Sequence, residues 1–274
     1  MASGGQAAVV CLNIAVDHRI SALFRPVACP SASANSSDHV AVLQDGGFRL
    51  ARPRDEILVT GELAGPAQTG GIAVALQQPR EAQPFEMGTE AVINNCNTFL
   101  ALKEIFPVIS CGSLHIIKDI SIIDLLPFVT EAEVSFMDEE KLRTALQISQ
   151  QTFCAKKPDV VLCAGKLPWT LRNCKEQMWR LESIGVGRVD KFPVAKLLNR
   201  DGKIVEIKRV NCFHPSHAIN YKSEYSSLRQ LLLLEAAKAC GVYRGDWEEE
   251  DWMENMRSYC RDVIERQPSI PEER

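Results

Sequence analysis

The sequence predicts a three-layer α/β/α sandwich with a central, mainly parallel four-stranded sheet. Short, nearly unbroken apolar runs alternate with longer segments whose apolar residues recur at helical spacing. The composition, 46% hydrophobic and 24% charged, is typical of a globular chain. Because parallel strands are covered on both faces, they are apolar throughout, and the helices between them form the crossovers. The four predicted strands are Ile72–Leu76, Ile120–Ile123, Val160–Ala164 and Lys208–Phe213.

The part of the chain before these strands is predicted to be irregular at first and then β-rich. The stretch Pro30–Asp38 is rich in Ser, Ala and Asn, which predicts a loop, so residues 1–39 are interpreted as an N-terminal extension or flap. From Val40 onward, short apolar runs are separated by turn residues such as Asp45-Gly46-Gly47. This pattern predicts strands joined by tight turns. They are Val40–Leu43, Phe48–Ala51 and Ile57–Thr60.

Helical periodicity follows the first parallel strand and returns between the others. Asp138 is an expected N-cap for a helix that ends before Pro158, and Gly241 is an expected end for the helix containing Leu228. Arg200-Asp201-Gly202 predicts a hairpin before His214. Two further helices are predicted at Thr89–Ile105 and Pro168–Ser183.

Residues 40–245 are therefore interpreted as one α/β domain, followed by an acidic helix and tail at 246–274. Within that last part, Glu248–Asp251 is expected to be a solvated helix start.

Charge and cysteine usage limit the function classes. The net charge is −4, so any interaction with nucleic acid must depend on a local site. The ten cysteines form no C-x-x-C pair, and we expect neither a metal nor another cofactor. The apolar run Ala7–Val16 lacks the flanks of a secretory signal, and no apolar stretch has the length of a membrane span. We expect a nuclear or cytoplasmic protein without a membrane partner.

Polar side chains follow three of the four predicted strands. Gln77 and Gln78 come after the first strand, Asp124 ends the second, and His214 follows the last. In an open α/β sheet the carboxyl ends of neighbouring strands border the crevice in which ligands bind. The sequence therefore predicts that these side chains open onto one pocket.

The same segments carry a resemblance to a known family. The run Ile72–Pro79, the strand ending at Asp124, the segment Lys157–Lys166 and the loop His214-Pro215-Ser216 occur in the order of the motifs of the uracil-DNA glycosylase superfamily. The resemblance extends over about Ile72–Gly241. It implies an enzyme that flips a damaged or deaminated base out of DNA and hydrolyses its N-glycosidic bond without a cofactor.

The resemblance also implies a role for individual residues. His214 would donate a hydrogen bond to the base oxygen on which negative charge develops, as in an oxyanion hole. Gln78 would orient water, with Glu81 as a substitute acid, and the base would be bound by Gln77, Phe85 and Asp124. The loop that holds the DNA backbone or wedges into the stack would comprise Pro215, Ser216, His217 and Ile219.

Two departures from the family pattern bear on activity. Gln78 is an amide where the family often has a carboxylate, and an alternative first motif, Gly61–Gly65, would supply Glu62 instead. Asp124 stands where the family has a base-reading Asn, and an ionised carboxylate can only accept hydrogen bonds. It would meet the O4 of uracil unfavourably, whereas a protonated Asp124 or a base with an exocyclic amine would fit better.

These departures predict weak uracil excision and altered base specificity. They leave open an alternative, a catalytically inactive protein of glycosylase fold that binds nucleic acid, a nucleotide or a protein partner.

Overall fold

A computed structural model describes residues 16–30, 36–134, 136–164, 180–181, 194–198, 204–220 and 225–266. Within them, six strands form one sheet in the order β2-β1-β3-β6-β5-β4. The first four in this order are mutually parallel, and β5 and β4 extend the sheet in antiparallel fashion. The strands are β1 (Ile72–Leu76), β2 (Ile120–Asp124), β3 (Val160–Ala164), β4 (Arg180–Leu181), β5 (Val194–Leu198) and β6 (Ile204–Cys212).

Helices cover both faces of the parallel strands. On one face, Val74, Ile122 and Leu162 pack in a large core with the helices Asn97–Ile109 and Tyr225–Arg244. On the other face, Ala73, Ile123 and Val161 of the same strands pack against the helices His39–Arg49, Arg54–Leu63 and Glu139–Lys156. The predicted three-layer α/β/α sandwich with a central parallel sheet is thus confirmed. Among the described residues, α-helices span His39–Arg49, Arg54–Leu63, Thr89–Asn94, Asn97–Ile109, Glu131–Val134, Glu139–Lys156, His217–Asn220, Tyr225–Arg244 and Asp251–Arg266, and Phe85–Met87 is a 3₁₀ turn.

The strands predicted between residues 40 and 60 are wrong, because this region forms the helices His39–Arg49 and Arg54–Leu63. Gly46 and Gly47 do not make a turn; they are buried inside the first helix. A Cβ on Gly46 would lie 2.6 Å from Cγ2 of Ile148, and one on Gly47 would lie 2.6 Å from Cγ1 of Ile57. The glycines therefore allow close packing between helices, and their lack of side chains conceals the helical period.

Helix boundaries differ from the predicted ones in three places. Thr89–Ile105 is two helices, because Asn95 ends the first and Cys96 is extended before the second. The helix expected to stop at Gly241 continues to Arg244, and Gly241 instead makes room for Trp247. Most of the helix predicted at Pro168–Ser183 lies outside the described residues, and its positions 180–181 form β4.

Other local predictions are confirmed. Oδ1 of Asp138 accepts a hydrogen bond from the backbone N–H of Lys141 at 2.8 Å, which caps the helix Glu139–Lys156. β5 and β6 pair as the two arms of the predicted hairpin, although the turn Arg200-Asp201-Gly202 lies outside the described residues.

Both terminal segments pack against the α/β unit. Ile20 and Met253 belong to the same core as the parallel strands. Arg257, buried in the last helix, donates hydrogen bonds to Glu235 and Glu249. Glu249 also accepts a hydrogen bond from Lys238 Nζ at 2.7 Å, so the acidic run 248–251 is only partly the solvated helix start that was predicted. None of the described helices combines the length and apolar character needed to cross a membrane.

We predict that Gly46→Ala destabilises the fold by about 1–2 kcal/mol. The new methyl group would overlap Ile148, and the free-energy cost of this overlap exceeds the gain in helix propensity. Urea denaturation measures the change. In an Ile148→Ala background, which removes the overlapping atoms, the same substitution should become neutral or stabilising. A loss of stability of equal size in both backgrounds would show that this contact is not the cause.

Candidate functional site

A cleft of about 590 Å³ opens at the carboxyl edge of the parallel sheet. Its lining includes Gln77, Gln78, Asp124, His214 and Ser216. These residues follow β1, end β2 and follow β6, so the parallel direction of the three strands brings them to one side of the sheet. The convergence predicted for Gln78, Asp124 and His214 is therefore observed.

The ends of β1 and β2 are held together beyond the regular sheet. Leu76 is in register with Asp124, and the N–H groups that follow Asp124 continue the ladder. Leu125 N–H donates to Leu76 O at 2.8 Å, and Leu126 N–H donates to Gln77 O at 2.9 Å. Gln77 and Asp124 are thus presented to the cleft by a backbone with little freedom to shift.

Among the described residues, Asp124 has a buried oxygen atom with an unfilled hydrogen bond. Its Oδ1 is shielded from solvent and has no hydrogen-bond partner within the described chain. Burial alone, without a neighbouring cation, raises the pKa of Asp124 to about 7. Near neutral pH the side chain is therefore divided between a carboxylate and a neutral carboxylic acid. The neutral form has both a donor and an acceptor, like the amide of Asn.

His214 is oriented by its neighbour in the same loop. The Nδ1 atom of His214 lies 2.7 Å from the hydroxyl oxygen of Ser216. When the hydroxyl donates to Nδ1, the neutral imidazole carries its proton on Nε2 and can donate from that atom. Ser216, which was expected to contact the DNA backbone, contacts the imidazole of His214 in this structure.

The candidate acids are placed differently from one another. Gln78 and Glu81 both line the cleft, whereas Glu62 is not among the lining residues. Glu62 accepts a hydrogen bond from the hydroxyl of Thr89. Glu81 Oε1 accepts from the N–H of Ala132 at 2.8 Å, which ties the loop after β1 to the helix Glu131–Val134. The geometry thus favours the motif at Gln77–Pro79 over the one at Gly61–Gly65.

The predicted aromatic and wedge residues are only partly assembled at the cleft. Phe85 lines the cleft and also packs against the core. Pro215 is buried, and Ile219 packs on the hydrophobic core and is not among the cleft residues. The side chain of His217 lies outside the described part of the structure.

Sequence reasoning missed a contribution from the break between two helices. Cys96, Asn97 and Thr98, at the start of the helix Asn97–Ile109, line the cleft. The positive end of the helix dipole therefore borders the site. Arg80 donates to Asn95 O at 2.9 Å and fixes this break to the loop after β1. The cluster Asn95-Cys96-Asn97, which interrupts an otherwise apolar period, was the available signal.

No group of three or more His, Cys, Asp or Glu side chains in the described ranges is arranged to hold a metal ion.

Comparison with models of protein families finds no match to this chain, and comparison with curated proteins finds none either.

We predict that Asp124→Asn stabilises the protein increasingly as the pH rises from about 4 to 7. Between the ordinary aspartate pKa and the raised one, the folded chain retains a proton that the unfolded chain releases, so the free energy of unfolding falls with pH. Asn has no such proton. Because each unit of pKa shift corresponds to roughly 1.4 kcal/mol, we expect the variant to gain at least about 1 kcal/mol at pH 8.

Thermal unfolding at pH 4, 6 and 8 measures this difference. Glu104→Gln, at an exposed position away from the cleft, removes one negative charge in the same way and serves as the control. An equal stability difference at all three pH values would contradict the assignment of a raised pKa to Asp124.

Proposed function

We propose that this chain is a DNA glycosylase-like hydrolase that binds a flipped, damaged or deaminated base in the cleft and hydrolyses its N-glycosidic bond. The observation that carries the proposal is the meeting of Gln78, Asp124 and His214 at one cleft. The motif order of the sequence adds to it, because the same three segments resemble the base-binding and catalytic motifs of the uracil-DNA glycosylase superfamily.

The proposed reaction assigns one task to each polar group. Water adds to the sugar carbon while the electron pair of the glycosidic bond leaves with the base. His214 stabilises the negative charge that develops on a base oxygen by donating from Nε2. The amide oxygen of Gln78 accepts a hydrogen bond from the water and orients it. The proton that the water loses passes to solvent or to the unbonded oxygen of Glu81, and the departing base is protonated by solvent.

The base and its strand would be held by the remaining cleft residues. Asp124 faces the polar edge of the base, and Phe85 offers a ring on which the base can stack. Backbone groups of the loop at Pro215 and Ser216 are the proposed contacts to the DNA strand. We propose DNA as the macromolecular partner and a nuclear or cytoplasmic location on this basis.

One observation favours a second candidate, a protein of the same fold that binds nucleic acid, a nucleotide or a protein partner without catalysis. Gln78, the residue proposed to orient water, lines the cleft but has no carboxylate, and Glu62, the alternative acid, does not line the cleft. A Gln can orient water but cannot remove its proton. If Glu81 does not take part, the cleft retains the means to bind a base and lacks a general base.

We predict slow but detectable base excision that depends on His214. Labelled oligonucleotides containing uracil, hypoxanthine or xanthine are incubated with the protein, and strand cleavage at the resulting abasic site is measured. His214→Ala should lower the excision rate by roughly 100-fold or more, the usual effect of losing one oxyanion-hole donor. His115→Ala, at an exposed histidine outside the cleft, should leave the rate unchanged.

Uracil excision should be at least tenfold slower than in a family member with a catalytic carboxylate. Equal rates for the unmodified protein and His214→Ala would contradict the catalytic assignment. Intact DNA binding without excision of any of the three bases would favour the second candidate.

We further predict that Ser216→Ala lowers kcat by about tenfold with little change in KM, because the imidazole loses the bond that orients it but the base contacts remain. Ser216→Thr preserves the hydroxyl and should retain most of the activity. Single-turnover rates over a range of pH provide the measurement. If Ser216→Ala changed only KM, a direct role in binding DNA would be indicated instead.

A further inference from the structure

We propose, on the basis of the function proposed above, that Asp124 recognises its ligand as a neutral carboxylic acid. In this form it pairs through one carbonyl oxygen and one hydroxyl with a base edge that presents a ring N–H beside a carbonyl. The cleft would therefore bind bases that present such an edge, and it would bind them while Asp124 is protonated.

Asp124 lies at the cleft with a buried oxygen that lacks a partner among the described residues. Asp124 ends β2 in register with Leu76, one residue before Gln77, and it lines the cleft. Its Oδ1 is closed off from solvent and accepts no hydrogen bond from the described residues. Buried polar atoms in folded proteins nearly always have a partner. An unpaired buried oxygen on a residue that lines the cleft is consistent with a partner that arrives with the ligand.

The charged groups around the cleft leave the neutral form of Asp124 accessible. Among the described residues, the other ionisable side chains that line the cleft are Arg80, Glu81, Cys96 and His214. Arg80 donates to the carbonyl of Asn95, and Glu81 accepts from Ala132. The raised pKa of Asp124, about 7, is caused by burial without a contribution from any of these groups. The neutral acid is thus well populated at physiological pH.

The neutral carboxyl group of Asp124 is complementary to a base edge that presents a ring N–H beside a carbonyl. Uracil presents N3–H beside O4, and hypoxanthine presents N1–H beside O6. A carboxylic acid can accept from the ring N–H and donate to the carbonyl oxygen. A carboxylate can accept only, so its charge would face the carbonyl oxygen of the base. Deprotonation therefore removes one hydrogen bond and adds a repulsion.

This mechanism makes ligand affinity dependent on pH. With a pKa of about 7, the neutral fraction falls from about nine-tenths at pH 6 to about one-tenth at pH 8. Because apparent affinity scales with the competent fraction, binding should weaken by about tenfold over this interval. An Asn at the same position keeps donor and acceptor at every pH, so its affinity should not change.

The test measures binding of free uracil by isothermal titration calorimetry between pH 6 and 8, separately from any excision. The unmodified protein should lose about tenfold in affinity, and Asp124→Asn should lose less than twofold. Glu104→Gln, the exposed charge-matched control, should follow the unmodified protein. His214→Ala should bind more weakly at every pH but retain the decline, which separates Asp124 from the imidazole as its source.

The outcomes distinguish this inference from the proposed function. A decline that is lost in Asp124→Asn supports the inference whether or not the oligonucleotide assay detects excision, and absent excision then counts against the hydrolase alone. A flat profile in the unmodified protein, the same decline in Asp124→Asn, or no uracil binding by either protein would overturn the inference. Excision together with a pH-independent affinity for uracil would support the proposed hydrolase and contradict the inference about Asp124.

Discussion

The parallel pairing of β1 with both β2 and β3 is the constraint on which the rest of the structure depends. Ile72 is in register with Ile120 on one side and with Val160 on the other, so the three strands share a direction and a level. Burial on both faces requires these strands to be apolar along their length. Polar residues are therefore confined to the strand ends, where they border the cleft.

The cleft combines a backbone fixed by hydrogen bonds with a buried side-chain oxygen, Oδ1 of Asp124, that has no hydrogen-bond partner among the described residues. Backbone hydrogen bonds from Leu125 and Leu126 to the end of β1 fix the strand ends that border the cleft. Hydrogen bonds of Arg80 and Glu81 fix the loop after β1. Asp124 retains a shielded oxygen that has no hydrogen-bond partner among the described residues. Such a group costs folding free energy of about 1–3 kcal/mol unless a ligand or a proton satisfies it. The location of this cost at a strand end is the physical reason for considering Asp124 functional.

The helices show how packing can reverse a local pattern. Gly46 and Gly47 predict a turn in the sequence, yet they lie in the helix His39–Arg49. Their lack of side chains leaves the space that Ile148 and Ile57 occupy. Gly241 is similar, since Trp247 packs closely over it and the helix continues to Arg244. In each case the contacting residue lies outside the helix that contains the glycine, so the local pattern around the glycine cannot show the contact.

The sequence by itself determined the parallel strands, the cap at Asp138, the pairing of β5 with β6 and the placement of Gln78, Asp124 and His214 at strand ends. These features follow from apolar runs, cap residues and chain order, which are all properties of the linear sequence. Tertiary structure decided that Glu62 is absent from the cleft lining while Cys96 and Thr98 belong to it. It also decided the raised pKa of Asp124, because the pKa of a carboxyl group depends on the atoms that exclude water from it, and those atoms come from separate parts of the chain.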